Sequence, residues 1–370
     1  MVGTWVPAKD PASTLKKLQD LARRRELATL QQQIGEVLYN PDRPVQDAAA
    51  LIEQWRSAAK ATPVRMVSAA GSDLAADVLR ESESRFARRK AEGSAVMGIR
   101  TGIPRLDALM NGFCPGLHVL GGAPGAGKTT LALQMAMQAA SSGVPALYLT
   151  YENTPANLVL KAICAEADIA PLDVERGFGK PETLSAAAAT LKPALDKVAF
   201  VEGTLRLSTG AIRALAEDWR TRHNAPRILI IVDYLQRAAH QGGYELLRQN
   251  VSRLAAELRE ISSALSSPVL ALASQNRSGG DYGKGGGSAN LDSLKESGDL
   301  EYGADSVMFL RANKSRTLSE PFRAIEIALV KNRFGPLGAV PLVYRADVGE
   351  LYEDENQSTH TIKWLEDSVV

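Results

Sequence analysis

The spacing of apolar residues changes character near residue 98. Upstream of that point the period is helical. Leu15, Leu18, Leu27, Leu30, Ile34 and Leu38 recur at near-helical intervals and predict a helix over 13–39, capped by Ser13 or Thr14. The run Asn40-Pro41-Asp42-Arg43-Pro44 ends it. A second helix is predicted over 45–59, with Ala48, Leu51, Ile52 and Trp55 facing inward. The two form an αα-hairpin, too small to promise an independent core. Residues 60–72 read as a linker. A third helix, over 73–92, carries Leu74, Val78, Leu79 and Phe86 on one stripe and Arg85, Arg88, Arg89 and Lys90 on the other face. So narrow a stripe between linker stretches needs a partner surface, in this chain or a neighbouring one.

Downstream, short apolar runs alternate with helical segments, the signature of a parallel sheet with helical crossovers. Strands are predicted at 117–120, 146–150, 199–201, 228–232, 269–273, 306–310, 325–330 and 339–344, and helices at 129–140, 155–167, 209–223 and 246–265. The segment 228–232 is almost wholly apolar, as expected of a central strand buried on both faces, and 199–201 suits an edge. The glycine-rich run 278–288 predicts a mobile loop. The expected organisation is a helical hairpin over 1–60, a linker with a docking helix over 61–97, and an α/β domain over 98–370.

Composition changes this picture little. With 370 residues and 45% hydrophobic content, the chain can bury a real core. A formal charge of +1 neither demands nor excludes nucleic acid, so any polyanion must be met by local basic clusters. Cys114 and Cys164 carry no pairing or metal-ligand pattern and read as reduced residues of an intracellular protein. No apolar run approaches the roughly 20 residues of a membrane span, and the first residues lack a signal profile. A soluble, cytoplasmic protein is expected.

The strongest chemical signal is Gly122-Ala123-Pro124-Gly125-Ala126-Gly127-Lys128-Thr129, a full GxxxxGK[ST] match lying between a predicted strand and a predicted helix. Glycines let backbone N–H groups wrap phosphates, and the helix N-terminus adds partial positive charge. Gly122, Pro124, Gly125, Ala126, Gly127, Lys128, Thr129 and Thr130 are therefore expected to bind a nucleoside triphosphate. Lys128 would neutralise the terminal phosphates and the Thr129 hydroxyl would hold Mg²⁺. Asp233 ends the apolar run 228–232 and supplies the carboxylate of a second Mg²⁺ position, or else caps a loop. Glu152, past the strand 146–150, can polarise the attacking water, or can cap the helix that starts near Pro155.

Gln275, just past strand 269–273, can donate to the γ-phosphate. Lys331 and Arg333 follow strand 325–330 and suit either an arginine finger reaching a neighbour's nucleotide or two surface cations. Nucleic-acid phosphates would be met by loops carrying Arg237, Arg277 and Lys284, and by the segment Lys295-Glu296-Ser297-Gly298. The bland alternative for these loops is a glycine-rich connection with no ligand.

Taken in order, Thr101 to Asp107, Thr150-Tyr151-Glu152, Ile231 to Gln236, Ala273-Ser274-Gln275, Lys295 to Glu301 and Lys331 to Pro336 resemble the DnaB family of hexameric replicative helicases. The matching segments cover residues 98–345. The resemblance implies a RecA-like P-loop fold, α/β with a mainly parallel central sheet, preceded by the helical hairpin and linker helix. It implies ATP and Mg²⁺ bound between subunits of a homo-oligomeric ring, with Glu152 activating water and Lys331 and Arg333 serving the neighbour's nucleotide. It also implies single-stranded DNA held by Lys295, Glu296 and Gly298, 5′→3′ movement and duplex unwinding in DNA replication. A helicase loader is a further partner that such a ring admits.

Two departures stand out. Lys295 replaces the arginine usual in the family, which weakens a bidentate phosphate grip. The globular part that precedes the hairpin in the family, which forms the collar and contributes to primase docking, has no counterpart before residue 16, so primase contact is not carried over. Two rival readings accompany the helicase: an ATP-dependent recombination or mobile-element accessory factor that does not unwind, and a KaiC-like ATPase that does not bind DNA.

Overall fold

The computed structural model describes residue 25 and residues 27–38, 40, 44–60, 71–92, 96–204, 207–239, 244–274 and 303–357. The chain divides into two compact units, Met1–Glu92 with Gly210–Ala214, and Gly93–Thr209 with Leu215–Val370. In the first, residues 27–38 form α1, Val45–Lys60 form α2 and Gly71–Glu92 form α3. The inward residues of α1 and α2 match expectation only in part, at Ala48. Val37 and Ala48 are buried, whereas Leu38, Ile52 and Trp55 are exposed. On α3, Leu74, Val78, Leu79 and Phe86 are exposed, as the periodicity implied for a face that needs a partner. No described helix is long and apolar enough to cross a membrane.

The second unit runs α4 (Pro104–Met110), β1 (Gly116–Gly122), α5 (Lys128–Ser141), β2 (Ala146–Thr150), α6 (Pro155–Ala167), α7 (Pro171–Glu175), α8 (Pro181–Leu195) and β3 (Val198–Glu202). After α9 (Thr209–Arg222) come β4 (Leu229–Asp233), α10 (Leu235–Ala238), α11 (Tyr244–Leu265), β5 (Pro268–Ser274), β6 (Ser306–Ala312), β7 (Phe322–Asn332), β8 (Gly338–Arg345) and β9 (Glu350–Glu353). The strands make one nine-stranded sheet in the order β3-β2-β4-β5-β1-β6-β7-β8-β9. From β3 to β6 all pairings are parallel, and β7, β8 and β9 add antiparallel strands at the other side.

Every residue of β1, β2 and β4 is buried, because helices cover both faces of a parallel sheet. At Gly121 a Cβ would stand 2.6 Å from the Phe309 ring, so only glycine lets β6 pack this closely. The short helices α4, α7 and α10, the longer α8, and strand β9 carry no expectation from the periodicity. α8 buries only Ala187 and Ala194.

Parallel order places the carboxyl ends of β1, β2, β4 and β5 along one rim of the sheet, where ligands of open α/β folds bind. The opposite rim holds the start of β1, the start of β6 and the end of β7, since Ser306 pairs with both His118 and Asn332. A buried polar layer forms there. His118 is fully buried, its Nδ1 2.8 Å from Ser306 Oγ and its Nε2 2.7 Å from the Cys114 carbonyl.

Burial pushes the His118 imidazole down from the ordinary 6.5 to about 4. Between those values the unfolded chain holds a proton that the folded chain does not, so stability falls as pH drops through the window. The loss approaches roughly 3 kcal/mol at its acid end. In His118→Gln, urea unfolding followed from pH 6.5 to 4 is expected to lose that part of its slope. An unchanged slope would place the proton uptake on other groups.

Candidate nucleotide site

The loop between β1 and α5 builds the first part of the site. Gly127 precedes α5 at φ 95°, a left-handed conformation that favours glycine. Its neighbour is Tyr344 of β8, whose ring would lie 3.6 Å from a Cβ at Gly127. The Lys128 ammonium donates to the carbonyls of Gly122 at 2.7 Å and Ala123 at 2.9 Å, folding the side chain back over the loop. Burial lowers its pKa, and the nearby charges of Asp233 and Glu152 oppose that shift. Thr130 and Tyr344 line one end of a cavity of about 380 Å³ that runs along α5 to Ser141. Nothing in the spacing of Tyr344 marked it out; only the β8 position brings an aromatic ring to the loop.

Asp233 ends β4 and is 2% exposed. Its Oδ2 accepts a hydrogen bond of 2.9 Å from the Tyr148 hydroxyl. Burial raises the Asp233 carboxyl, while hydrogen bonds from Tyr148 and Thr129 and the charge of Lys128 pull it down. Tyr148 is fully buried and looks like ordinary strand core in the sequence, yet its hydroxyl holds this carboxylate. Removing that donor is expected to cost about 1–3 kcal/mol, the penalty for leaving a buried acceptor unmatched. Tyr148→Phe should therefore unfold at lower denaturant. The acid limb of nucleotide binding at this loop should move to higher pH, because the lost hydrogen bond had lowered the Asp233 pKa. A wild-type acid limb would show that the hydroxyl does not tune the carboxylate.

Glu152 stands exposed just past β2. The Thr150 hydroxyl both donates to the Asn153 carbonyl (2.7 Å) and accepts from its N–H (3.1 Å), closing a turn around Glu152. The Tyr151 N–H donates to the Asp233 carbonyl at 2.7 Å, tying this turn to the end of β4. The helix cap expected as the alternative role of Glu152 belongs to Thr154, whose side chain accepts from the Asn157 N–H. Glu152 is thus left facing the charges of Lys128 and Asp233.

Beyond Asp233, Gln236 exchanges hydrogen bonds with both backbone groups of Ser274, each at 3.2 Å. That pair locks the start of α10 to the end of β5. Arg237 lies exposed on α10, donates to the Tyr234 hydroxyl, and senses the charge of Glu152. Gln275, Arg277, Lys284, Lys295, Glu296 and Gly298 lie outside the described residues.

Arg333 is not on this rim. Arg333 binds Asp305 beside the start of β1, with its N–H on the Asp305 carbonyl at 2.9 Å and its Nη1 on Oδ1 at 3.0 Å. Five residues of β1 separate that level from Gly122, about 17 Å along a strand at ~3.3 Å per residue. An arginine side chain does not span that distance. Lys128, Thr129, Glu152 and Asp233 therefore share one end of the sheet and Arg333 stands at the other, while Lys331 pairs with Val307 at the level of Val119, midway along β1.

Residues 98–353 match the DnaB-like helicase C terminal domain family. A replicative DNA helicase DnaB of Leifsonia xyli subsp. xyli is 28% identical over 260 residues, 69% of this chain and 56% of that protein. A Rickettsia felis protein of the same name is 26% identical over 370 residues, with 90% of this chain and 73% of the relative covered. The chain spans a little over half the length of the first curated relatives it matches, 56% and 55%. Among solved structures, an isolated ATPase domain superposes with a TM-score of 0.64 at 22% identity, covering 77% of this chain and 99% of the other. A DnaB-like replicative helicase, solved in a study of its interactions with primase, reaches 0.67 at 20% identity over 92% and 78%. At those identities the two structures establish the mainly parallel, RecA-like fold alone. On the family match over most of its length, this chain belongs to the DnaB-like helicase C-terminal domain family.

Proposed function

We propose that this chain is an ATP-driven DNA helicase motor that works as a ring of identical subunits, none of which completes its own site. The carrying observation is the split just described: Lys128, Asp233 and Glu152 at one rim, and Arg333 at the opposite rim. A head-to-tail neighbour would bring Arg333 to the first set, and a heterologous contact that closes makes a ring. In this reading Gly122 to Thr130 cradle the ATP phosphates, Glu152 orients and deprotonates the attacking water, and Arg333 and Lys331 of the adjacent copy neutralise charge on the γ-phosphate. The residues present fit Mg²⁺, since a buried carboxylate and a threonine hydroxyl are the hard oxygen donors it takes. When bound, the ion would neutralise phosphate charge.

Single-stranded DNA is the proposed track, gripped by Arg237, Arg277, Lys284, Lys295, Glu296 and Gly298, with 5′→3′ movement, and a loader would act by opening the ring. Support comes from the family match and from relatives named as replicative helicases. The docking of α3 on an adjacent copy would use its exposed Leu74, Val78, Leu79 and Phe86. The solved relative's study of primase makes a primase contact a question for the same preparation.

The test is ATPase and fork unwinding by the purified chain at low salt, with and without oligo-dT. DNA-stimulated turnover with strand displacement is expected, falling steeply as salt rises. Stimulated turnover without displacement would leave an accessory ATPase. Salt-insensitive turnover without affinity for single strands would leave a KaiC-like ATPase.

A further inference from the structure

The Asp305 carboxylate, at the rim opposite the P-loop, holds two guanidiniums. Arg333 Nη1 lies 3.0 Å from Oδ1, and Arg259 Nη2 of α11 lies 2.9 Å from the same oxygen. Oδ2 accepts the Leu117 N–H at 3.0 Å. The carboxylate side chain is 8% exposed, whereas the arginines are 43% and 45% exposed. This asymmetry matters. Either arginine can leave for solvent or another anion at small cost, but a buried carboxylate that loses every cation is strongly destabilised.

The backbone around Arg333 is held independently of its guanidinium. Asn332 Nδ2 donates to the carbonyls of Leu109 and Pro336, each at 3.0 Å, and its Oδ1 accepts the Phe334 N–H. The Phe334 ring packs on His118 at 5.8 Å between centroids. The guanidinium can therefore swing while the chain beneath it stays in place.

We propose that Asp305 and Arg259 are positioning residues for Arg333: Asp305 holds the guanidinium in reserve, and Arg259 lets it go by remaining behind as the carboxylate's cation. The anion that draws Arg333 away is the nucleoside triphosphate of a second copy of this chain, so the inference rests on the trans role of Arg333 proposed above. No bond is made or broken; one ion pair is exchanged for another. Without Arg259, departure of Arg333 strands a buried carboxylate, and the exchange becomes unfavourable.

The experiment is steady-state ATPase of the full chain with Mg-ATP and oligo-dT, taking kcat and KM separately. Arg259→Gln is expected to lower kcat about tenfold with KM changed less than about twofold, because the finger stays held. Adding Asp305→Asn to Arg259→Gln should restore kcat, since the holding charge is gone. Arg259→Lys, which keeps a cation at the carboxylate, should stay near wild type and guards against a folding artefact. A merely structural role predicts the reverse, with each substitution adding to the loss. Wild-type kcat in Arg259→Gln, or no recovery in the double variant, overturns the exchange while Arg333→Ala still reads out the finger. If Asp305→Asn alone costs as much as Arg333→Ala, the carboxylate aims the finger and the exchange is likewise overturned. If Arg333→Ala leaves kcat intact, the trans reading itself falls.

Discussion

Glu152→Gln is expected to abolish turnover while leaving nucleotide binding and folding in place. The substitution keeps the size of the side chain and removes only its ability to take a proton. General-base catalysis contributes about 10²–10⁴-fold, so kcat should fall by at least that order. Binding should persist because the proposed phosphate contacts come from the loop and from Lys128, whose bonds to the Gly122 and Ala123 carbonyls the change does not touch. Stability should shift by no more than about 0.5 kcal/mol, as for other exposed positions. The cap of α6 belongs to Thr154, and the turn around residue 152 is closed by Thr150 and Asn153. Single-turnover ATPase, a fluorescent ATP analogue and a thermal melt measure the three quantities. Turnover near wild type would move the base to another residue.

The second large effect concerns Arg333. Arg333→Ala is expected to lower kcat by about 10³–10⁵, the range for an arginine finger supplied in trans. The distinctive result lies in mixing. Lys128→Ala subunits lack a working P-loop but carry Arg333, and Arg333→Ala subunits carry the P-loop but lack the finger. At equal amounts and random assembly, about a quarter of interfaces join a good loop to a good finger. Activity should therefore return on mixing two inactive proteins. The geometry asks for this outcome, because Arg333 pairs with Asp305 at the start of β1 while Lys128 stands past its end. Failure to recover, in preparations shown to exchange subunits, would remove the trans assignment. Folding should tolerate Arg333→Ala, since Arg259 and the Leu117 N–H still bind the Asp305 carboxylate.

Together the two experiments test the two halves of the proposed interface separately. Glu152 tests chemistry at the rim that holds the P-loop, and Arg333 tests what the opposite rim offers to a neighbour. The reserve pairing at Asp305 adds a third quantity, the ease with which that offer is made.

Local motifs were legible in the sequence by itself. Gly122 to Thr129 needs only its own backbone geometry and a strand before it, so the motif identifies the loop without any tertiary knowledge. Asp233 was legible because a wholly apolar run means a strand buried on both faces, and a carboxylate at its end must meet a cation or a donor. The change of period near residue 98 is a local signal of the same kind, since periodicity is set within a dozen residues. What the tertiary structure decided are the pairings between residues far apart in the chain. Tyr148 reaches Asp233 because β2 lies beside β4 with Thr150 opposite Asp233. Tyr344 reaches Gly127 across more than two hundred residues. Arg333 and Arg259 meet on Asp305 because β6 adds beside β1 and β7 returns antiparallel. Such contacts depend on strand order and register, which come from packing the whole sheet at once. No local spacing of residues encodes them.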